Sequence, residues 1–131
     1  MKLFQLIEGL DLVNSSGDLH RDVSHICFSS GQCRQGSLFV AVPGLKNDGH
    51  DFIDDAISRG AEFIVHEKAL QLPSQIVAIQ VADSRRALGI LAKNYFGNPS
   101  ADLTLIAIIG TNGKTTISYL LESILKEAGF K

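Results

Sequence analysis

The sequence predicts an α/β protein, in which a small mixed-sheet domain is followed by the first strand, glycine-rich loop and helix of a second domain. Three observations support this fold class. Short apolar runs alternate with segments of helical period over residues 1–97. A polar, proline-bearing stretch at residues 98–102 interrupts that alternation. Beyond it, an apolar run leads through a glycine-rich loop into another segment of helical period.

The beginning of the chain predicts one helix and two strands. Leu3, Leu6, Ile7 and Leu10 have the spacing of one helical face, and this helix should end near Gly9. The polar residues 14–20 are expected to form a loop. Residues 22–28 alternate between apolar and polar side chains, and residues 38–42 are a short apolar run, so both predict strands.

A βαβ unit followed by a further helix is predicted for the middle of the chain. After a turn at Asp48 and Gly49, a helix should begin and then end at Gly60. Residues 62–66 and 75–81 predict two more strands. Asp83 is placed to cap a helix that stops at Gly97. The predicted buried faces consist of Phe52, Ile53, Ala56 and Ile57 in the first helix and of Leu88, Leu91, Ala92 and Tyr95 in the second.

A domain boundary is predicted at the polar segment 98–102. Residues 1–98 should form one complete domain, and residues 99–131 should begin a second with a strand at residues 103–109. The 15 residues after Thr116 are too few to complete a nucleotide-binding domain, so we expect this second domain to be truncated. Its helix should bury a stripe of Ile117, Leu120, Leu121, Ile124, Leu125 and Ala128.

The glycine-rich loop at residues 110–116 has the composition of a phosphate-binding loop. A strand that enters a helix through such a loop directs successive backbone N–H groups at an anion, at the positive end of the helix dipole. As the catalytic residue, Lys114 would contact the β- and γ-phosphates of ATP, while the Thr115 hydroxyl would bind Mg²⁺. The common spacing requires glycine where this chain has Ile108, so the loop is a shorter variant; an ordinary Asn-Gly turn is the alternative. The predicted ATP-binding residues are Gly110, Thr111, Asn112, Gly113, Lys114, Thr115 and Thr116.

Composition and charge argue against several classes of partner. The formal net charge is -2, and Lys and Arg are scattered along the chain, so nucleic acid is not an expected partner. The sequence has no apolar run of the roughly 18 residues that a membrane span needs, and no export signal is recognised at its start. We therefore expect a cytoplasmic protein with no membrane partner. Cys27 and Cys33 are expected to be reduced thiols, although a local disulfide between them stays open.

Two groups of polar residues invite a functional interpretation. Asp48, His50 and Asp51 surround a predicted turn, where they could bind a metal or serve as cap and solvent contacts; we expect the second role. Arg85 and Arg86 lie in the first turn of a predicted helix, where the helix dipole disfavours cations. They could face an anion or a neighbouring domain, but a solvated face is expected.

With these motifs in view, the chain resembles the Mur ligases, ATP-dependent amide-forming enzymes that build the peptide of the cell-wall precursor. It is most like the MurE type, and the likeness covers residues 22–131. The first stretch that carries it runs from Gly36 through Gly44, Asp48-Gly49-His50 and Phe52-Ile53 to Gly60-Ala61. The second runs from Pro99-Ser100 through the loop at residues 110–116, a string shared with other members and with folylpolyglutamate synthetases.

The resemblance implies a site for a UDP-linked substrate in the first domain. In this family that domain binds the UDP end of a UDP-N-acetylmuramoyl peptide, so residues 1–98 would be the UDP-substrate-binding domain and residues 99–131 the start of a P-loop ATPase domain. Phe28 and Ser30 match positions that contact uridine, and Leu45, Lys46 and Asn47 match the loop that lines the UDP group. The family commonly has Asp-Ser-Arg where this chain has Ser29-Ser30-Gly31, so a contact made by that arginine is in doubt. Independently, residues 43–49 follow the carboxyl end of a predicted strand, where open α/β sheets place ligands; a solvated connection is the alternative.

The activity implied by the resemblance is that of an ATP- and Mg²⁺-dependent ligase. It would add a diamino acid, meso-diaminopimelate or L-lysine, to UDP-N-acetylmuramoyl-L-alanyl-D-glutamate through an acyl phosphate. A MurF-type or folylpolyglutamate-type ligase and a non-catalytic UDP-sugar-binding module stay open as alternatives. We expect the complete enzyme to be a monomer. This fragment is expected to be inactive and to self-associate through residues 103–128.

Overall fold

The computed structural model describes residues 1–130 and divides into two compact units, Met1–Pro99 and a second that starts at Ser100. The first unit is an α/β structure around one five-stranded mixed sheet, which confirms the predicted fold class for this part of the chain. The strands are β1 Leu12–Ser16, β2 His25–Cys27, β3 Ser37–Val40, β4 Ala61–His66 and β5 Val77–Val81. The helices are α1 Leu3–Leu6, α2 Ile53–Ser58 and α3 Ser84–Tyr95.

The sheet has the strand order β1-β5-β4-β3-β2. Strands β2, β3, β4 and β5 are parallel to one another, whereas the edge strand β1 pairs antiparallel with β5. Since the carboxyl ends of parallel strands meet at one edge, the segments that follow β2, β3 and β4 all emerge at the same edge of the sheet.

Both faces of the sheet are covered by apolar side chains. On one face, Phe63 and Val65 of β4 belong to the same cluster as Leu3 of α1 and Leu91 of α3. On the other face, Ile64 of β4 lies in a cluster with Ile53 and Ala56 of α2. Strands buried on both faces contain consecutive apolar residues, here Leu38 to Val40 in β3 and Phe63 to Val65 in β4, which explains why both were recognisable from sequence.

Two predictions for the beginning of the chain need correction. The first helix is only four residues long, and α1 ends at Leu6 before a turn that reaches Gly9. The expected loop at residues 14–20 is wrong for its first part, because Asn14 to Ser16 belong to β1. All five residues of β1 are exposed, so this edge strand depends on main-chain pairing with β5 and lacks the apolar alternation that reveals a half-buried strand.

Helix α3 begins and ends as predicted. Asp83 caps it by accepting a hydrogen bond from the Arg86 N–H at 2.9 Å. At the other end, the Asn98 N–H donates to the Lys93 carbonyl oxygen at 2.7 Å, which closes the last turn beside Gly97. Leu91 is fully buried, while Leu88, Ala92 and Tyr95 are half-buried.

In the second unit, the predicted helix forms but the predicted strand does not. Helix α4 spans Lys114–Glu127, whereas residues 104–109 carry no strand pairing. A strand needs a neighbour for its main-chain groups, and the described part of this unit supplies none. The apolar stripe of α4 is not buried as expected, since Ile117, Leu120 and Ile124 are 49%, 60% and 64% exposed. Within the described residues, no helix is long and apolar enough to cross a membrane.

Candidate functional site

The two segments predicted to contact UDP emerge from neighbouring parallel strands. Phe28 and Ser30 follow β2, and residues 45–47 follow β3. Strand β2 ends at Cys27, which pairs in register with Phe39 next to the end of β3, so both segments start at the same level of the sheet edge. Phe28 is 64% exposed and Leu45 is fully exposed. The fold thus brings the two predicted segments to one edge of the sheet with apolar side chains open to solvent.

Residues 43–48 form a tight, closed turn. The Gly44 N–H donates to the Asn47 carbonyl oxygen at 2.9 Å, and Pro43 forms an antiparallel bridge with Asp48. Below the turn, the Gly49 N–H donates to the Val42 carbonyl oxygen at 3.0 Å. A Cβ on Gly49 would lie only 2.6 Å from the Val42 nitrogen, so only glycine permits this approach of the two backbones. The tip at residues 45–47 is therefore exposed on a base that has little freedom.

An Asp48–His50 pair lies at the base of this turn. Asp48 Oδ1 accepts from the His50 N–H at 2.9 Å and lies 2.6 Å from His50 Nδ1, while Oδ2 accepts from Lys68 Nζ at 2.7 Å. Hydrogen bonds from Lys68 and from the His50 backbone and ring hold the pKa of Asp48 well below its usual range. Asp48 therefore stays ionised, and its charge ties the turn to the segment after β4.

His50 corrects one sequence prediction, whereas Arg85 agrees with another. Asp48 does cap the following turn, as expected, but the His50 side chain is only 3% exposed and is not a solvent contact. Arg85 lies on an exposed face, as predicted, and from there donates from Nη2 to the Pro43 carbonyl oxygen at 2.7 Å. The sequence gives no local signal for the contact of His50 with Glu67 or of Arg85 with Pro43, because these partners are 17 and 42 residues apart.

The segment with Phe28 and Ser30 is bounded by two cysteines. Cys27 and Cys33 are free thiols, as expected, and their sulfur atoms are 3.0 Å apart. Burial raises the pKa of both thiols, which keeps them protonated and unreactive. Between them, Ser30–Gln32 form a single 3-10 turn that fixes the position of Ser30.

The predicted phosphate-binding loop leads into the N-terminus of helix α4. Gly113 is the N-cap residue with a left-handed φ of 76°, and the first helical hydrogen bond runs from the Ile117 N–H to the Gly113 carbonyl oxygen. The N–H groups of Lys114, Thr115 and Thr116 precede that bond, so no helical carbonyl accepts from them. Free N–H groups at a helix N-terminus, an adjacent ammonium group and two hydroxyls fit a phosphate ligand and its magnesium ion.

Comparison with known proteins matches this chain to one family. A family profile described as "Mur ligase family, catalytic domain" matches residues 22–96, more than half of the chain. The chain belongs to the Mur ligase family. The Mur ligase profile covers most of the first unit, including both segments at the sheet edge.

Two relatives of known name match almost the whole chain. A UDP-N-acetylmuramoyl-L-alanyl-D-glutamate--2,6-diaminopimelate ligase from Clostridium perfringens is 43% identical over 99% of this chain and 27% of its own length. A protein of the same name from Syntrophomonas wolfei is 41% identical over 100% of this chain and 27% of its own length. The chain therefore spans about a quarter of the length of the Mur ligases it matches.

Solved Mur ligase structures have a similar fold. MurF from Acinetobacter baumannii has a TM-score of 0.60 and 29% identity, covering 96% of this chain and 27% of that one. MurF from Thermotoga maritima, solved in complex with ADP, has a TM-score of 0.55 and 36% identity, covering 79% of this chain and 23% of that one.

Proposed function

We propose that this chain is the UDP-binding domain and the start of the ATP-binding domain of a MurE-type ligase. The observation that carries the proposal is 43% identity, over 99% of the chain, to a relative named as the ligase that joins 2,6-diaminopimelate to UDP-N-acetylmuramoyl-L-alanyl-D-glutamate. The division at residues 98–99 and the loop at residues 110–116 fit this arrangement.

The proposed reaction forms an amide in two steps. The glutamate carboxylate of UDP-N-acetylmuramoyl-L-alanyl-D-glutamate accepts the γ-phosphoryl group of ATP, which gives an acyl phosphate and ADP. The amine of the diamino acid then attacks the acyl carbon and displaces phosphate. Diaminopimelate is favoured over L-lysine by the names of the relatives. Electrostatic stabilisation of the transferred phosphoryl group is the main task of the protein in such a step.

The loop at residues 110–116 supplies the groups for that task. Its open N–H groups and the ammonium group of Lys114 would hold the β- and γ-phosphates. The hydroxyl of Thr115 would hold Mg²⁺, which neutralises phosphate charge when bound, and Thr116 would add a hydrogen bond to phosphate. All of these residues are exposed.

The sheet edge in the first unit supplies the proposed UDP site. Phe28 is 64% exposed and offers a ring face to the uracil, and Ser30 offers a hydroxyl beside it. The turn tip offers Leu45 as an apolar contact, Lys46 to the pyrophosphate and the amide of Asn47 to the imide edge of uracil. This site would bind the nucleotide end of the substrate, remote from the carboxylate that reacts.

Three other functions compete with this one. A MurF-type ligase is supported by solved structures that are 29% and 36% identical, lower than the identity to the Clostridium perfringens and Syntrophomonas wolfei proteins. A folylpolyglutamate-type ligase is an alternative because it shares the string at residues 110–116, whereas the stretch from Gly36 to Ala61 resembles the MurE and MurF types. A non-catalytic UDP-sugar-binding module would use the sheet edge alone.

The complete ligase would be a cytoplasmic monomer without a nucleic-acid or membrane partner.

An assay of the complete reading frame tests the proposal. ADP release should depend on UDP-N-acetylmuramoyl-L-alanyl-D-glutamate together with meso-diaminopimelate, and L-lysine should substitute poorly. If ADP release instead requires a UDP-N-acetylmuramoyl-tripeptide and D-alanyl-D-alanine, the protein is a MurF-type ligase. If neither pair of substrates causes ADP release, the proposed activity is wrong.

A further inference from the structure

His50 links the turn at residues 43–48 to the end of a central strand. Its Nδ1 lies 2.6 Å from Asp48 Oδ1, and its Nε2 accepts a hydrogen bond from the Glu67 N–H at 3.0 Å. Glu67 directly follows β4, which has neighbours on both sides in the sheet. The imidazole therefore lies between the turn and the end of the central strand of the sheet.

The partners of His50 determine its tautomer. A backbone N–H can only donate, so Nε2 must carry the lone pair, and the proton of the neutral ring lies on Nδ1. That proton points at the Asp48 carboxylate, which is an ideal acceptor. Donor and acceptor on the ring are both used, and the side chain is 3% exposed. Replacement of the ring would leave the partly buried Glu67 N–H without its acceptor, and Asp48 Oδ1 would keep only the bond from the His50 backbone N–H.

Other contacts hold the same turn less firmly. Lys68 reaches Asp48 from a side chain that is 52% exposed, and exposed ion pairs of this kind contribute little. Arg85 holds the Pro43 carbonyl oxygen through one bond classed as exposed. The contact between His50 and Asp48 is partly buried, whereas those made by Lys68 and Arg85 are exposed.

We propose that His50 is a positioning residue that holds the turn tip at residues 45–47 in the conformation that meets the UDP group. This inference rests on the proposed UDP site. His50 itself would not touch the nucleotide. Loss of its two hydrogen bonds would let the turn sample other conformations, and apparent affinity falls in proportion to the fraction of molecules that remain competent to bind. A turn that is competent about one tenth of the time would bind about 10-fold more weakly.

The test compares four variants in the 131-residue chain with UDP as the probe. His50→Phe keeps a buried ring but removes both nitrogens, while His50→Gln keeps one donor and one acceptor. Asp48→Ala removes the other end of the pair from a side chain that is 30% exposed, so it tests the same link if His50→Phe does not fold. Ser84→Ala is the matched control, because it removes a partly buried hydrogen bond to the Glu67 side chain, whereas His50 accepts from the Glu67 backbone N–H.

Amide NMR gives both readouts. We expect UDP to bind about 10-fold more weakly to His50→Phe and Asp48→Ala, and within about 3-fold of the original to His50→Gln and Ser84→Ala. Hydrogen exchange of the Gly49 N–H, which is bonded to Val42, should accelerate in the first two variants only.

The outcomes separate the two proposals. Original affinity and original Gly49 exchange in His50→Phe and Asp48→Ala would overturn the positioning role and leave the UDP site intact. Absence of UDP shifts in the original chain would overturn the UDP site. In that case the Gly49 exchange rates still decide whether His50 holds the turn.

Discussion

The ammonium nitrogen of Lys114 lies 2.7 Å from the carbonyl oxygen of Gly110, so this side chain folds back over the loop that carries it. A longer contact of 3.4 Å reaches the carbonyl oxygen of Thr111. No carboxylate of the described residues lies within ion-pairing distance of Lys114. Its positive charge is therefore available where the phosphates of a nucleotide would enter.

Removal of this charge should weaken nucleotide binding selectively. In Lys114→Met we expect the affinity of the chain for ATP to fall roughly 10-fold or more, because a charge-assisted hydrogen bond to phosphate is lost. Amide shifts of residues 110–116 during an ATP titration measure this. Lys126→Met is the matched control, since Lys126 pairs with Glu122 near the other end of the same helix. Equal ATP affinities for the two variants would contradict the role of Lys114.

The elements that were predicted from sequence are those whose stability is local or visible in the apolar pattern. Helix α3 carries its own start signal in Asp83 and its own stop at Gly97, and β4 contains the apolar run Phe63 to Val65. Strand β1 was not predicted, because main-chain hydrogen bonds to β5 hold it in place. Its side chains show no pattern that would indicate this pairing. The predicted strand at residues 103–109 has the right composition but lacks a neighbour to pair with.

The candidate site shows the same limit. The family resemblance alone indicated Phe28, Ser30 and residues 45–47. The strand order explains why these residues lie at one edge of the sheet. His50 was named only for a metal or a cap and solvent contact, because the role proposed for it depends on contact with Glu67, 17 residues away. Such a contact depends on strand order, which sequence periodicity does not specify.

The stability of the first unit should decrease in mildly acidic solution because of His66. Burial lowers the pKa of His66, so the unfolded chain takes up its proton at a higher pH than the folded chain does. Between the two pKa values the unfolded state binds more protons, and the free energy of unfolding therefore falls as pH drops below about 6.5. Denaturant unfolding at pH 7.5 and 5.5 measures this, and His66→Gln should show a smaller decrease. The exposed His20→Gln variant should behave like the original chain, and an equal decrease in all three would exclude His66 as the cause.

Residues 1–98 should fold without the rest of the chain. The first unit has both faces of its sheet covered and ends beside the closed last turn of α3. We therefore expect a version cut after Asn98 to unfold cooperatively, with fluorescence and circular dichroism transitions that coincide. A broad transition, or different midpoints by the two probes, would place the domain boundary elsewhere.

The 131-residue chain should self-associate through residues 103–128. Ile117, Leu120 and Ile124 are about half or more exposed, and each large apolar side chain contributes about 1.5 to 3 kcal/mol when it becomes fully buried. Sedimentation of this chain should show a dimer or larger species at high concentration, while the version cut after Asn98 stays a monomer. If both sediment as monomers at the same concentration, the exposed stripe does not drive association.

A UDP titration of the 131-residue chain, followed by amide NMR shifts, tests the proposed site most directly. We expect saturable shifts that cluster on residues 28–30 and 45–47, the two segments at the carboxyl edge of β2 and β3. Uridine should shift the amide signals of residues 28–30 more than those of residues 45–47, because uridine lacks the pyrophosphate that is proposed to contact Lys46. Shifts that cluster elsewhere, or no shifts at millimolar UDP, would contradict the account.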